Sequence, residues 1–375
     1  MDRGADVEVI ALGGWLSTVN DVVKKYNILE RTTYVPSTTR DVADAFGQLI
    51  RVCFSHPLQA FDRVRRAGLG QHLLLSRPAV AARALLLPSR HPEACLIHDL
   101  GLAKKFTFLR NIYPNARICL SYNGGEVVGC RKPDDYVDVF SNIDRVICLS
   151  EYARKEVIAK GCPQELTCVL PLGFDTSRFK PREPRRYLPT GSLRLVSVGR
   201  LSPEKGLVTV LEALKILSDE GLRSLDFRIV GTGLEEPSLR RSAKALGVDS
   251  LVTFLGEIPG HGVPNVLENS DVLVLPSLKT KTWAETQAAV VQEALLMKCV
   301  TVTTPTGALP ETNAPVMHRF FFAPGDATAL AGVLRSVAAM SPLEFQELGE
   351  AGRHFALERY DSVGVGDRLY DKLIN

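Results

Sequence analysis

The sequence predicts an α/β protein made of two doubly wound, parallel-sheet halves. Short apolar runs recur with helical segments between them, an alternation that gives parallel sheets covered on both faces. At 375 residues the chain exceeds one ordinary core, so two domains of about 150–200 residues are expected. Three prolines, Pro181, Pro184 and Pro189, mark a linker near the middle.

The elements follow in order. Val7 to Leu12 reads as a strand that leads into Gly13-Gly14-Trp15. Residues 41–90 are helix-rich and basic, with Arg63, Arg65, Arg66, Arg77 and Arg83 among leucines. That pattern suits peripheral contact with an anionic membrane surface. Helices packed on a sheet have the same pattern, and packing is the preferred reading. Continuous apolar runs at 94–98, 116–120 and 145–149 predict strands buried on both faces. Ser150-Glu151 opens a helix with capping chemistry, and Lys160-Gly161 closes it. A strand at 166–170 and a turn at Gly173-Phe174-Asp175 complete the half. The second half repeats the alternation. Strands are expected at 193–198, 225–230, 251–255, 271–275 and 299–303, and helices at 204–220, 235–246, 285–297 and 326–339. Helices then run from about Pro342 to Asn375.

Composition excludes several classes. Apolar residues at 45% and charged residues at 23% fit a globular protein. No run approaches the roughly 20 apolar residues of a spanning helix, and the start carries no apolar secretory signal. The eight cysteines lack a Cys-x-x-Cys spacing and several sit in strand-like runs, so free thiols in a reducing cytoplasm are expected. Net charge is +3, yet residues 1–190 carry 27 Lys and Arg against 20 Asp and Glu, while the remainder carries 18 against 22. An anionic partner for the first half and an uneven solvated surface explain this equally. No strand is followed by Gly-x-Gly-x-x-Gly, which argues against a dehydrogenase. No nucleic-acid partner is expected.

The most informative segment is Val196-Ser-Val-Gly199-Arg200-Leu-Ser-Pro-Glu-Lys205-Gly206. It reads as a strand, a glycine turn, and two cations at the mouth of a helix. Open α/β sheets bind anions there, because the helix N-terminus offers unpaired N–H groups. Glu285 and Glu293, eight positions apart, are expected on either side of a helix start, where carboxylates accept hydrogen bonds from sugar hydroxyls. A diphosphate clamp with a hydroxyl clamp is what a nucleotide-sugar requires. Glu293 lies in an apolar helical segment and needs a partner. Gly231-Thr-Gly233 after a strand is a tight turn, a weak signal taken alone.

The block from Leu193 to Glu311 resembles the C-terminal half of the retaining GT-B glycosyltransferases of family 4. Their pattern is a strand, Gly-Arg-Leu-x-x-x-Lys-Gly, and two Glu separated by seven residues. The resemblance covers roughly residues 90 to 375. It implies two Rossmann-like domains facing a cleft: residues 1–183 on the acceptor side, a linker at 184–191, and a nucleotide-sugar domain at 192–355. A helix at 356–375 would cross back onto the first domain. Arg200, Lys205 and Glu285 would be catalytic. Gly199, Gly231, Gly233, Gly256 and Glu293 would bind the donor, together with Thr286, Gln287 and Ala288, which stand where relatives carry Gly-Phe-Gly. Asn123 stands where many relatives have His. It and Gly124, in Tyr122-Asn-Gly-Gly125-Glu126, and also His98 would lie on the acceptor or sugar side. Asn cannot shuttle a proton at neutral pH. Gly307-Ala-Leu-Pro310-Glu311 would be a structural turn near the donor pocket.

The resemblance implies transfer of a sugar, with retention, from a nucleotide-diphospho-sugar donor to a glycan or lipid-linked acceptor in polysaccharide or glycoconjugate synthesis. Neither metal nor cofactor is expected, and the expected location is the cytoplasm, with peripheral contact at the inner membrane face. Two rivals remain: a nucleotide-sugar epimerase of the same architecture, and a nucleotide-sugar binder without activity. The family's first strand, glycine loop and helix have no counterpart before Val7, so the chain is expected to begin about 30 residues late, through an internal Met taken as the start or a true deletion.

Overall fold

The computed structural model describes residues 6–12, 32–35, 57–67, 78–88, 91–124, 136–183, 185, 187, 192–222, 224–281 and 283–375. Gly13-Gly14-Trp15, Gly125-Glu126, Cys53, Cys130 and most of the expected linker lie outside the described residues.

The strands are β1 (Val9–Leu12), β2 (Thr32–Val35), β3 (Ala94–His98), β4 (Arg117–Tyr122), β5 (Arg145–Cys148), β6 (Thr167–Val169), β7 (Leu193–Val198), β8 (Leu225–Val230), β9 (Val252–Gly256), β10 (Val272–Leu275) and β11 (Val300–Thr303). The helices are α1 (Pro57–Arg66), α2 (Pro78–Leu86), α3 (Leu100–Lys105), α4 (Leu109–Ile112), α5 (Val137–Phe140), α6 (Glu151–Ala159), α7 (Leu207–Asp219), α8 (Glu236–Leu246), α9 (Val263–Glu268), α10 (Ala289–Leu296), α11 (Leu309–Thr312), α12 (Ala327–Ala338), α13 (Pro342–Tyr360) and α14 (Ser362–Ile374). Three sheets have the orders β1-β2, β3-β4-β5-β6 and β11-β10-β7-β8-β9.

The chain forms two compact units. One comprises Met1–Ile97, Gly101–Cys119 and Asp138–Asp144; the other comprises His98–Leu100, Leu120–Val137 and Arg145–Asn375. In the first, β1 and β2 pair in parallel. Ala60 and Val64 of α1 pack on Ala81 and Leu85 of α2. The guanidinium of Arg63 donates to the carbonyls of Leu87 and Pro88, just past the end of α2, satisfying acceptors that a helix end leaves open. Arg65 and Arg66 pair with Asp62 on the same helix. The arginine–leucine pattern is thus used for packing and local ion pairs at these positions.

In the second unit, β7, β8, β9, β10 and β11 form a parallel sheet. β10 and β11 are buried at every position; β10 reads as an unbroken apolar run, whereas β11 alternates Val and Thr. Asp271 is fully buried just before β10. Its carboxylate accepts from the Arg194 backbone N–H at 3.0 Å and from two guanidinium nitrogens at 3.0 and 2.5 Å. That geometry offsets the cost of burying the charge.

Two helices begin later than the pattern suggests. The expected helix from 204 is a 3₁₀ turn at Pro203–Lys205 followed by α7 from Leu207. Gly206 between them is left-handed, at φ +64°, and a Cβ there would stand 2.3 Å from the Pro276 carbonyl oxygen. The expected helix from 285 starts at Ala289, because Ala288 is also left-handed, at φ +57°. Glu285 is therefore a loop residue and does not open the helix. The short helices α9 and α11 were not anticipated.

The segment after β6 meets the chain's last helices inside this unit. Phe174 N–H donates to the Tyr360 carbonyl at 2.8 Å, Ser362 N–H to the Phe174 carbonyl at 2.9 Å, and Thr176 Oγ1 to Asp361 Oδ1 at 2.7 Å.

Candidate functional site

In the sheet order β11-β10-β7-β8-β9, β7 is earliest in sequence yet central. The chain runs outward through β8 and β9, then returns to β7's other side for β10 and β11. The reversal falls between β7 and β10. An open α/β sheet forms its ligand crevice outside the carboxyl ends of such a pair. The segments leaving those two strands, 199–206 and 276–288, carry most of the expected site residues.

Arg200 leaves β7 with its side chain 71% exposed and its nearest carboxylate oxygen, on Glu204, at 3.9 Å. Lys205 is largely buried, and its Nζ donates to Glu285 Oε1 at 2.6 Å. Ser277 Oγ donates to the same oxygen at 2.9 Å. Glu285 is 6% exposed, a burial that this ammonium and hydroxyl make tolerable. Lys205 Nζ also stands 4.8 Å from the centre of the Trp283 indole. The two cations foreseen as one clamp thus differ: Arg200 faces solvent, and Lys205 is held by a carboxylate and a ring.

The loop 285–288 is fastened at each residue. The Glu285 carbonyl accepts from Ala308 N–H at 2.8 Å. Gly307 permits that approach, because a Cβ there would lie 2.1 Å from the same oxygen. Thr286 Oγ1 donates to the Asn123 carbonyl at 2.7 Å, and the Thr286 carbonyl accepts from Ser150 Oγ at 2.6 Å. Gln287 is buried, and its Oε1 accepts from Leu172 N–H at 3.1 Å. Ala288 ends the loop in the left-handed region.

The glycine turn after β8 has a steric reason. A Cβ at Gly231 would stand 1.9 Å from the Gly199 carbonyl oxygen, and one at Gly233 would stand 2.1 Å from that of Leu201. The two loops lie against each other through Gly199 N–H to Val230 and Leu201 N–H to Thr232, at 3.0 and 2.9 Å. Gly256, at φ +70°, has open space where a Cβ would be.

Glu293 sits on α10 among buried Val291, Gln292, Ala294 and Leu295. Burial pushes its carboxyl up to about 7, opposed only in part by the charge of Arg178. Asn123 Oδ1 accepts from Ser121 Oγ at 3.0 Å. Gly124, at φ +70°, lies so close to Thr286 that a Cβ would meet its methyl at 1.9 Å. The structure thus brings Asn123 and Gly124 to the 285–288 loop. His98 is exposed at the end of β3 and makes no hydrogen bond to either among the described residues.

The sequence reading missed Ser277, Trp283, Ser150 and Leu172 as parts of this arrangement. Pro276-Ser277 directly after the apolar β10 run was the available turn signal for the first. The partners of a loop carbonyl carry no sequence signal. Glu311 of the Gly307–Glu311 turn accepts at 2.7 Å from both Glu151 and Tyr152 N–H, so its carboxylate sits on the N-terminus of α6, where negative charge is favoured.

The sheet order and its parallel strands define a doubly wound α/β protein. Residues 180–355 match the family model Glycosyl transferases group 1. AmsK of Erwinia amylovora, an amylovoran biosynthesis glycosyltransferase, is 24% identical over 352 residues, which cover 89% of this chain and 84% of AmsK. WcaL of Escherichia coli (strain K12), named for colanic acid biosynthesis, is 27% identical over 365 residues, covering 93% and 86%. In fold, the chain is similar to Anabaena Alr3699/HepE, solved in complex with UDP-glucose. The TM-score is 0.69 at 18% identity, over 98% of this chain and 99% of that one. The fold is that of the GT-B glycosyltransferases, and the relatives support the glycosyltransferase class.

Proposed function

We propose that the protein transfers a sugar from a nucleotide-diphospho-sugar to a hydroxyl of a glycan or lipid-linked acceptor, with retention, in polysaccharide or glycoconjugate synthesis. The observation that carries this reading is the Lys205 ammonium, 2.6 Å from Glu285, on the same turn after β7 as exposed Arg200. Bond cleavage at the anomeric carbon leaves negative charge on the departing diphosphate. Two side-chain cations, Lys205 held and Arg200 exposed, stabilise that charge without a metal ion. In this reading Glu293 accepts hydrogen bonds from the ribose hydroxyls, and the loop 285–288 borders the transferred sugar. In the front-face course proposed, the acceptor hydroxyl attacks from the side the diphosphate leaves, and a phosphate oxygen takes its proton.

Arg200→Ala is expected to keep fold and stability, and Lys205→Ala to fold with lower stability because buried Glu285 loses its ammonium. Each is expected to lower transfer about a hundredfold or more, equivalent to about 2–4 kcal/mol in the transition state. The check is steady-state turnover of donor beside thermal unfolding of each variant. Wild-type turnover in either would remove that residue from the clamp. Activity is also expected to survive excess EDTA, since the charge is met by side chains. A strict requirement for a divalent ion in the chelation series would contradict this mechanism.

A further inference from the structure

Trp283 belongs to the segment Leu278-Lys279-Thr280-Lys281-Thr282-Trp283, which joins β10 to Glu285. The segment closes on itself, because Thr280 N–H donates to the Trp283 carbonyl at 2.8 Å. Its start is tied to the phosphate-side turn, with Leu278 N–H donating to the Glu204 carbonyl at 2.8 Å. The Trp283 ring, part-buried, then stands with its centre 4.8 Å from Lys205 Nζ, while Glu285 Oε1 lies 2.6 Å from the same nitrogen. An ammonium has three N–H donors and no acceptor. One is taken by Glu285, and the negative face of the indole attracts the charge from another side. Two N–H groups remain for further acceptors, and the ring covers one side of the nitrogen.

We infer that Trp283 is a positioning residue: its indole and the Glu285 carboxylate together aim the Lys205 ammonium at the donor's diphosphate. The inference rests on the clamp reading above. Without the ring, Lys205 keeps its charge and its carboxylate but regains the freedom of a four-carbon stem, and binding must then freeze it.

The test is a double-mutant cycle on the full chain. Binding of uridine and guanosine diphosphates and of the matching monophosphates is measured by calorimetry, with thermal unfolding as the fold control. Trp283→Leu is expected to weaken the better-bound diphosphate by roughly tenfold and to leave its monophosphate unchanged. Trp283→Phe keeps a π face and is expected to restore diphosphate binding to within about threefold. In a Lys205→Ala background, Trp283→Leu is expected to have no effect on the diphosphate. Equal losses in both backgrounds, or equal losses for mono- and diphosphate, overturn the positioning role and leave the clamp intact. Diphosphate binding untouched by Lys205→Ala overturns the clamp, and the role of Trp283 with it.

Discussion

Ala288 holds φ +57° and ψ +68°, a conformation that costs an L-residue with a Cβ about 1–2 kcal/mol. Glycine would relieve that cost but would lose more chain entropy on folding, about 0.4–1 kcal/mol. The difference favours glycine. Ala288→Gly is expected to raise stability by up to about 1 kcal/mol, read from urea unfolding midpoints at unchanged slope. A loss of stability would show that the Ala288 methyl makes packing contacts worth more than its strain. Glu293 gives a second residue-scale prediction. Its folded carboxyl is raised to about 7 from 4.5, so the folded state holds a proton that the unfolded state has released. Stability from this group is full below about pH 4.5 and falls as pH rises toward 7. Hydrogen bonds from ribose hydroxyls favour the charged form, so nucleotide binding should release a proton in that window. Calorimetry of diphosphate binding at pH 6 in buffers of different ionisation enthalpy is expected to show the release in the native protein and a smaller one in Glu293→Gln. Identical release in both proteins would exclude Glu293 as its source.

At the scale of elements, α6 shows how a helix start serves two purposes. Ser150 Oγ accepts from Ala153 N–H at 3.0 Å and donates to the Thr286 carbonyl at 2.6 Å, while Glu311 takes the N–H groups of Glu151 and Tyr152. Ser150→Ala is expected to cost about 1–2 kcal/mol through the lost cap and to raise the donor KM more than it lowers kcat, because the 285–288 loop loses a tie. A stability loss with unchanged KM would confine Ser150 to capping. The cap itself was legible: Ser150-Glu151 after an apolar run is a helix-start signature. Its second partner was not, since Thr286 lies 136 positions away. Strands β7, β8, β10 and β11 were legible within a residue, β10 as an unbroken apolar run and the others as apolar residues alternating or interspersed with polar ones. The starts of α7 and α10 were not. Gly206 and Ala288 turn left-handed under tertiary contact, and local propensity carries no trace of the Pro276 carbonyl beside Gly206.

At the scale of the whole molecule, the site was legible as a set of residue types and not as a set of pairs. Arg200, Lys205 and Glu285 stand out by spacing and by likeness to a family. That Lys205 and Glu285, 80 positions apart, form a pair is a property of the sheet order, which places the ends of β7 and β10 together. The same order explains the glycines at 231 and 233, whose role is first of all to let two loops touch. The tie between Phe174 and residues 360–362 has a consequence for the birth of the chain. The hydrogen bond from Thr176 to Asp361 spans 185 residues, and a ribosome adding about 5–20 residues per second takes roughly 10–40 s to make that length. Throughout that interval residues 173–176 are already made while their partner is not. The nascent second unit therefore carries an unmatched backbone segment for longer than most small domains need to fold, and it becomes complete only when its last two helices emerge.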